Sequence, residues 1–338
     1  MKLVSHLQIA IRRYAWVLLI MSLTLFIVGL SVGSTGLNSF LDAFNNPTSA
    51  QIIWEIRLPR TLIAWLTGAL LGLAGAIAQG LFRNPLADPY LLGSASGGTL
   101  GVALILVIFN ANPISASWLM QIGITGAAFM GALLGVAATI VLAKGFQHTF
   151  RLLLAGVIVG VILGALSSAI AVLNPEVLQT MQAFMLGTTS FAGWSSCVFM
   201  LVILLISSLG SWIFAKTLDG MILGELTAAS LGLHIKLARF IFIFILALTT
   251  GTAVSQTGLI AFVGLAAPHL VRSMIKANHR VLLIYSAATG GVLLLAADIL
   301  ARSLISPQEL PVGVLTAILG GTYLLWLMHH KEDSNGFI

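Results

Sequence analysis

Hydrophobic runs separated by short polar breaks occupy most of the chain. A helix needs about 20 apolar residues to cross the hydrocarbon of a bilayer. The runs therefore predict an all-α integral membrane protein with about ten transmembrane helices. The predicted spans are 14–33, 58–82, 91–109, 117–143, 152–173, 195–215, 238–255, 258–273, 281–301 and 310–328.

The stretch from Arg57 to Pro89 surrounds the second span and has charged or rigid residues at both of its ends. Its uncharged middle carries small residues on nearly one face, followed by one polar side chain. Small residues allow a second surface to approach a helix closely. We therefore predict that this helix lines a translocation path, with Gly68, Gly72, Gly75 and Gln79 on it.

Composition supports the membrane assignment and excludes other classes of protein. The chain is 59% hydrophobic and 8% charged, against roughly 25% charged residues in soluble domains. Its net charge of +6 comes from scattered Lys and Arg, so no basic cluster suggests a nucleic-acid partner. Cys197 is the only cysteine. It excludes an intrachain disulfide and a thiolate metal site, and we expect an inert apolar side chain.

The basic residues predict the orientation of the spans. With a cytoplasmic N-terminus, alternation through ten spans leaves only Arg57, Arg60 and Arg302 of the sixteen Lys and Arg on the outer side. This is the bias expected from the positive-inside rule, and it places both termini in the cytoplasm. Arg57 and Arg60 share one helical face. They could anchor the helix to lipid phosphates or dock an acidic soluble partner, and the scarcity of other outer basic residues favours docking.

Two connecting segments have patterns of their own. The segment from Asn174 to Met185 has apolar residues at helical spacing and predicts a short outer helix, which serves either surface packing or gating. The cytoplasmic loop 216–237 is interrupted by glycines and predicts two short amphipathic pieces. Its apolar side chains indicate a contact with a cytosolic partner. Spans 2–5 and 7–10 have opposite predicted orientations, which suggests an inverted repeat.

Motifs for catalysis inside the chain are absent. The sequence contains no GxxxxGK[ST], HExxH or GxSxG motif, so we expect no enzyme activity, no cofactor and no metal site. Asp298 is the carboxylate inside a predicted span, and Arg302 follows it at helical spacing. A local Asp298–Arg302 pair is the first interpretation. A proton relay is the alternative, and it would suit a carrier driven by an ion gradient.

Several motifs together resemble those of FecCD-type permeases of binding-protein-dependent ABC importers. They are Arg57-Leu58-Pro59-Arg60, Arg83-Asn84-Pro85-Leu86-Ala87-Asp88-Pro89, Gly224-Glu225, Leu231-Gly232-Leu233, Pro268-His269 and Glu309-Leu310-Pro311-Val312-Gly313. The resemblance implies a type II ABC importer permease fold, with residues 1–338 as one transmembrane domain of the bacterial inner membrane. It also implies three kinds of protein partner besides membrane lipid. These are a second permease subunit, identical or homologous, two cytoplasmic ATP-binding subunits, and a periplasmic or surface substrate-binding protein.

The resemblance also implies roles for individual residues. Arg57, Arg60 and Arg302 match arginines that dock the binding protein. Asn84, Leu86 and Thr149 match a cytoplasmic gate, where the bulky Phe150 departs from the small polar residue of the vitamin B12 branch. The residues expected to couple to the ATPase are Gly224, Glu225, Leu231, Gly232 and Leu233.

The expected function is import of a metal chelate, a ferric siderophore or haem, driven by a separate ATPase. An importer permease for vitamin B12 or for molybdate or tungstate is the first alternative. A secondary carrier, or a membrane scaffold without transport, remains as a further class.

Overall fold

A computed structural model describes residues 2–33, 36–37, 47–109, 118–146, 148–190 and 193–335. The described chain is almost entirely helical, apart from a two-residue antiparallel pairing of β1 (Val32–Gly33) with β2 (Gly36–Leu37). The helices are α1 (Lys2–Ser31), α2 (Pro47–Ile52), α3 (Leu58–Phe82), α4 (Ser94–Ile108), α5 (Trp118–Leu142), α6 (Thr149–Leu173), α7 (Pro175–Leu186), α8 (Trp194–Ile222), α9 (Glu225–Ser230), α10 (Ile235–Thr257), α11 (Val263–Met274), α12 (His279–Ser303) and α13 (Val312–Asn335).

Each of the ten predicted spans contains a helix, and the second span has the predicted bounds. Within the described ranges, seven helices are long and apolar enough to cross a membrane, and α4 and part of α13 are shorter apolar helices. The short helix predicted after the fifth span is present as α7, and its outer location stays a prediction. The prediction of two helical pieces in loop 216–237 is wrong, because α8 continues to Ile222 and only α9 is separate.

Helix α3 is the central element of the molecule. A π-helical turn (Ile53–Arg57) joins it to α2, so that Pro47–Phe82 forms one continuous 36-residue run. Pro59 has no N–H to donate to the preceding turn, which suits a widened turn at that point. All residues of α3 are buried except Leu58, Arg60, Leu62 and Trp65, which are partly exposed. Such a helix is enclosed by protein rather than by lipid.

Glycines allow α12 to lie directly against α3. A Cβ atom on Gly68 would collide with the carbonyl of Gly290, and one on Gly72 would collide with the carbonyl of Ser286. The same device joins α4 to α5, where Gly97 meets Gly131. Since lipid offers little hydrophobic drive for helix association, close backbone packing is what stabilises these pairs.

Two of the predicted spans are only half-length helices. Helix α4 has 15 residues and α11 has 12, which at 1.5 Å per residue gives about 22 and 18 Å. The hydrocarbon is about 30 Å thick. Before α4 the chain forms the turn that follows Arg83 and then a short 3-10 helix (Pro89–Leu92). Before α11, residues 258–262 are irregular.

The 3-10 helix Pro89–Leu92 meets the region around Ile260 and Gly264 inside the molecule. Gly264 packs against Pro89 and against the carbonyl of Leu71, which lies well inside α3. The Tyr90 hydroxyl donates to the carbonyl of Ile260 at 3.2 Å. Half-helices in corresponding positions of two oppositely oriented halves are the arrangement found in transporters with inverted repeats. The geometry therefore supports the predicted relation between spans 2–5 and 7–10.

Candidate functional site

A cluster of charged side chains lies at the outer end of α3 and α12. The guanidinium of Arg60 contacts both carboxylate oxygens of Glu309 at 2.9 Å, and it lies 3.5 Å from Asp298. Asp298 also pairs with Arg302 at 2.5 Å and accepts a hydrogen bond from Thr189 at 2.5 Å. Two guanidinium groups thus face two carboxylates, and the four charges balance.

Asp298 and Arg302 form the buried part of this cluster. Asp298 is fully buried and the Arg302 side chain is 1% exposed. The predicted local pair is therefore confirmed, and it is joined to Arg60 as well. A buried charge is tolerated where it has a counter-charge and its hydrogen bonds are satisfied. The Arg302 guanidinium also donates hydrogen bonds to the carbonyls of Gly29 and Val32.

Arg57 is turned inward in a similar way. Its side chain donates to the carbonyls of Leu30 at 3.0 Å and Ser31 at 3.1 Å, and the residue is only 5% exposed. The last carbonyls of a helix have no partner within the helix and carry a partial negative charge. The end of α1 thus attracts both Arg57 and Arg302.

Arg57 and Arg302 are buried, whereas the docking expectation concerns all three arginines. In this structure only Arg60, with 13% of its side chain exposed, lies at the surface of the cluster, together with Glu309 at 26%. Helical spacing and charge identify the arginines, but they do not identify the carbonyls and carboxylates that accept their hydrogen bonds. Glu309, Thr189 and Ser190, whose hydroxyl donates to Glu309 at 3.3 Å, were missed. An outer carboxylate in a chain with few outer arginines was the signal that could have identified Glu309.

The glycines predicted to line a path are instead packed against other helices of the same chain. Gly68 and Gly72 contact α12, and Gly75 contacts the backbone of Gly264 in α11. The prediction of close approach is confirmed, but the surface that approaches is another helix. Gln79 donates to the carbonyl of Leu265 at 3.3 Å, and its Oε1 atom is buried without a hydrogen-bond partner among the described residues.

The predicted cytoplasmic gate consists of two exposed turns. Arg83 ends α3 with a left-handed φ of 49°, and the Asn84 side chain then accepts the N–H of Leu86 at 2.9 Å. Leu86 is 57% exposed. At the start of α6, Thr149 is the first helical residue and Phe150 is 76% exposed. The two turns are separate in sequence, and each exposes one apolar side chain, Leu86 in the first and Phe150 in the second.

The predicted coupling segment surrounds α9. Gly224 and Gly232 flank the helix with φ values of 106° and 75°, a conformation that favours glycine. Leu231 is 63% exposed, whereas Leu233 packs inward against Gly220. Glu225 begins α9, and its side chain lies outside the described residues. The turn after α9 therefore exposes an apolar side chain, Leu231, as expected of a contact with another protein.

Comparison with known proteins places this arrangement in a family. The sequence model of the FecCD transport family matches residues 15–330. The hemin transport system permease protein of Yersinia pestis is 37% identical over 93% of this chain and 96% of its own length. The vitamin B12 import system permease protein of Vibrio cholerae is 33% identical over 98% of both chains.

A solved structure agrees with the sequence comparisons. A metal-chelate type ABC transporter in an inward-facing conformation superposes with a TM-score of 0.83 at 28% identity, covering 93% of this chain and 98% of the other. The chain belongs to the FecCD transport family and is a permease of the ABC importer type, not an enzyme.

Proposed function

We propose that this chain is the membrane-spanning subunit of an importer that carries an iron chelate, haem or a ferric siderophore, across the bacterial inner membrane. The observation that carries the proposal is the match to the hemin permease, which extends over 96% of that protein. The similarity to a metal-chelate type transporter over 98% of its chain supports the same class of substrate.

The proposed transporter contains two permease subunits, identical or homologous, with the path between them. Inside a single chain, α3 is enclosed by its neighbours, so no path runs along it. Helix α6 has the opposite character, since Val157, Val161 and Leu166 are exposed along it. An apolar face of this kind suits a second permease subunit, a wide path for a large chelate, or lipid.

The proposed energy source is a pair of cytoplasmic ATP-binding subunits. The exposed Leu231 and the glycine-bounded α9 supply the apolar contact. On the outer face, a substrate-binding protein docks at the charged cluster, where Arg60 is the arginine within reach of an acidic partner in this conformation. In this proposal, ligand selection rests with the binding protein.

Import of vitamin B12 is the second candidate, favoured by the match over 98% of the Vibrio cholerae permease. The exposed Phe150 favours the iron chelate instead. Its side chain is 76% exposed at the start of α6, at a position where the resemblance to the vitamin B12 branch leads us to expect a small polar residue.

The test is uptake into vesicles that contain the permease with its ATPase and binding protein. Haem, a ferric siderophore, vitamin B12 and molybdate are offered in parallel, with ATP or a non-hydrolysable analogue inside. We expect ATP-dependent accumulation of haem or the ferric siderophore. Accumulation of vitamin B12 or molybdate alone would contradict the proposed substrate, and equal uptake with the analogue would contradict the energy source.

A further inference from the structure

An Asp–His pair joins α8 to α12 at their inner ends. The Asp219 Oδ1 atom lies 2.6 Å from the Nδ1 atom of His279 and also accepts the backbone N–H of His279 at 3.0 Å. Because an ionised carboxylate only accepts hydrogen bonds, the ring nitrogen is the donor. His279 is the first residue of α12, so Asp219 also places a negative charge at the positive end of that helix.

On the α8 side, the pair is adjacent to the coupling segment. Gly220 follows Asp219, and a Cβ atom at Gly220 would collide with the Leu233 side chain, with Ala228 of α9 3.6 Å away. Leu233 lies two residues after the exposed Leu231 in the same turn. A partner that presses on this turn therefore presses on the backbone of α8 beside Asp219.

On the α12 side, the histidine ring lies against the end of α3. A Cβ atom at Gly80 would lie 3.0 Å from Nε2 and 3.2 Å from Cδ2 of His279, tighter than ordinary contact. The His279 side chain is only 8% exposed and is therefore enclosed by protein. Gly80 lies in the last turn of α3, shortly before Arg83 begins the turn that carries Asn84 and Leu86.

We propose that Asp219 and His279 are positioning residues that transmit movement of the coupling turn to the inner end of α3 and its gate turn. This inference rests on the proposed import function. Its basis is direct contact on both sides. Gly220 and Gly80 let Leu233 and His279 approach their backbones closely, and the hydrogen-bonded Asp219–His279 pair lies between these two contacts. Close-packed interiors transmit displacement rather than absorb it, but coupling has to be demonstrated by measurement.

The first experiment compares substrate transported per ATP hydrolysed in vesicles that contain the full transporter. The variants are Asp219→Ala, which removes both hydrogen bonds, and Asp219→Asn, which keeps an acceptor for the His279 N–H. We expect Asp219→Ala to retain the ATPase subunits and ATP hydrolysis but to move about 3- to 30-fold less chelate per ATP, with Asp219→Asn in between. An unchanged ratio in Asp219→Ala would overturn the proposal.

Two further variants separate transmission from folding. Gly80→Ala leaves Asp219 and the coupling turn intact and forces the His279 ring to shift, so we expect it to lower the ratio of chelate to ATP as well. Unlike a methyl group at Gly72, the new atom meets a side chain and not the backbone, so we expect Gly80→Ala to fold. Glu176→Ala, an exposed carboxylate on α7, is the control and should transport as the parent does. If Asp219→Ala fails to assemble, a normal ratio in both Asp219→Asn and Gly80→Ala would overturn the proposal.

A second measurement does not depend on the substrate. A single reporter cysteine replaces Leu86 in a Cys197→Ser background, and a fluorescent label reports the gate turn on addition of ATP. We expect the response of the reporter parent to be lost in Asp219→Ala while hydrolysis continues, and an equal response would overturn the inference. If the wild type moves no chelate but the label responds in this pattern, the proposed substrate fails and the transmission role stands.

Discussion

Arg57 and Arg302 direct their charged side chains to partners within the chain. Both donate to carbonyls at the end of α1, and Arg302 is paired with Asp298. Their charge therefore stabilises contacts of α1 with α3 and α12. Arg60 differs because its partner Glu309 is partly exposed. A carboxylate of another protein can therefore compete with Glu309 for the Arg60 guanidinium.

The Arg60–Glu309 pair leads to a prediction about docking of the binding protein. Glu309→Gln removes an internal competitor for Arg60 and should tighten docking by up to about fivefold, the value of one exposed ion pair. Arg60→Glu should weaken docking. Both effects should shrink as salt is raised. The measurement is binding of the purified binding protein to transporter in lipid nanodiscs, with Glu176→Gln as the control. Equal affinities of all variants at low salt would exclude the cluster as a docking site.

Asp298 leads to a prediction about stability. Asp298→Asn leaves the buried guanidinium of Arg302 without its counter-charge, which typically costs about 3 to 5 kcal/mol. We expect a clear loss of melting temperature for the purified protein in detergent. The double variant Asp298→Asn with Arg302→Gln should recover part of it, because the unpaired buried charge is gone. A single variant as stable as the parent would show that the pair contributes little.

The same residue separates the importer from a carrier driven by an ion gradient. In the structure Asp298 is held by Arg302, Arg60 and Thr189, an arrangement that suits a fixed charge. For the double variant, residual uptake should therefore depend on ATP and be insensitive to collapse of the proton gradient. Uptake that follows the gradient and ignores ATP would favour the carrier.

At the scale of elements, the contact of α3 with α12 depends on the absence of side chains at a few positions. Gly72→Ala would place a methyl group against the carbonyl of Ser286, which is backbone and cannot rotate away. Overpacking of this kind costs about 1 to 3 kcal/mol. The matched control is Gly164→Ala in α6, where nothing lies within 4 Å of the new atom. We expect a lower melting temperature only for Gly72→Ala, and an equal response of both variants would contradict close packing at Gly72.

The sequence predicts α3 with the correct bounds because its ends are marked by polar and rigid residues. Pro59 lies at its start and Arg83-Asn84-Pro85 at its end. It does not predict that α11 is short. Residues 258–268 are apolar throughout, and hydropathy does not distinguish helix from irregular backbone enclosed by protein. The start of α11 depends on left-handed conformations, at Phe262 with φ 69° and at Gly258 with φ 70°, which tertiary contacts impose.

The candidate site was predictable to the extent that it depends on residue type and position. The exposed Leu231 turn and the pairing of Asp298 with Arg302 follow from apolar spacing and from helical geometry. The burial of Arg57 was not predictable, because its acceptors are backbone carbonyls that the side-chain sequence does not show. Likewise, the contact of Asp219 with His279 joins residues 60 positions apart, and the pattern of a single sequence carries no signal for such a contact.

At the scale of the whole molecule, the two faces are chemically different, and this determines an orientation that can be tested. Arg57, Arg60 and Arg302 lie at one end of the helices that carry them. The opposite end carries most of the other basic residues, the gate turns and α9. The positive-inside rule then predicts that α9 and both termini lie in the cytoplasm and that α7 lies outside. A reversed insertion would expose most of the basic residues to the outer solution.

Single cysteines in a Cys197→Ser background test this orientation in intact cells. Cys197 is 5% exposed and donates to the carbonyl of Pro59, a contact that serine can keep. Glu176→Cys on α7 and Lys276→Cys between α11 and α12 are both exposed in the structure. A membrane-impermeant maleimide should label the first cysteine in spheroplasts and the second only after permeabilisation. The reverse pattern would invert the molecule and place α9 away from the ATP supply, so the proposed coupling would fail together with the orientation.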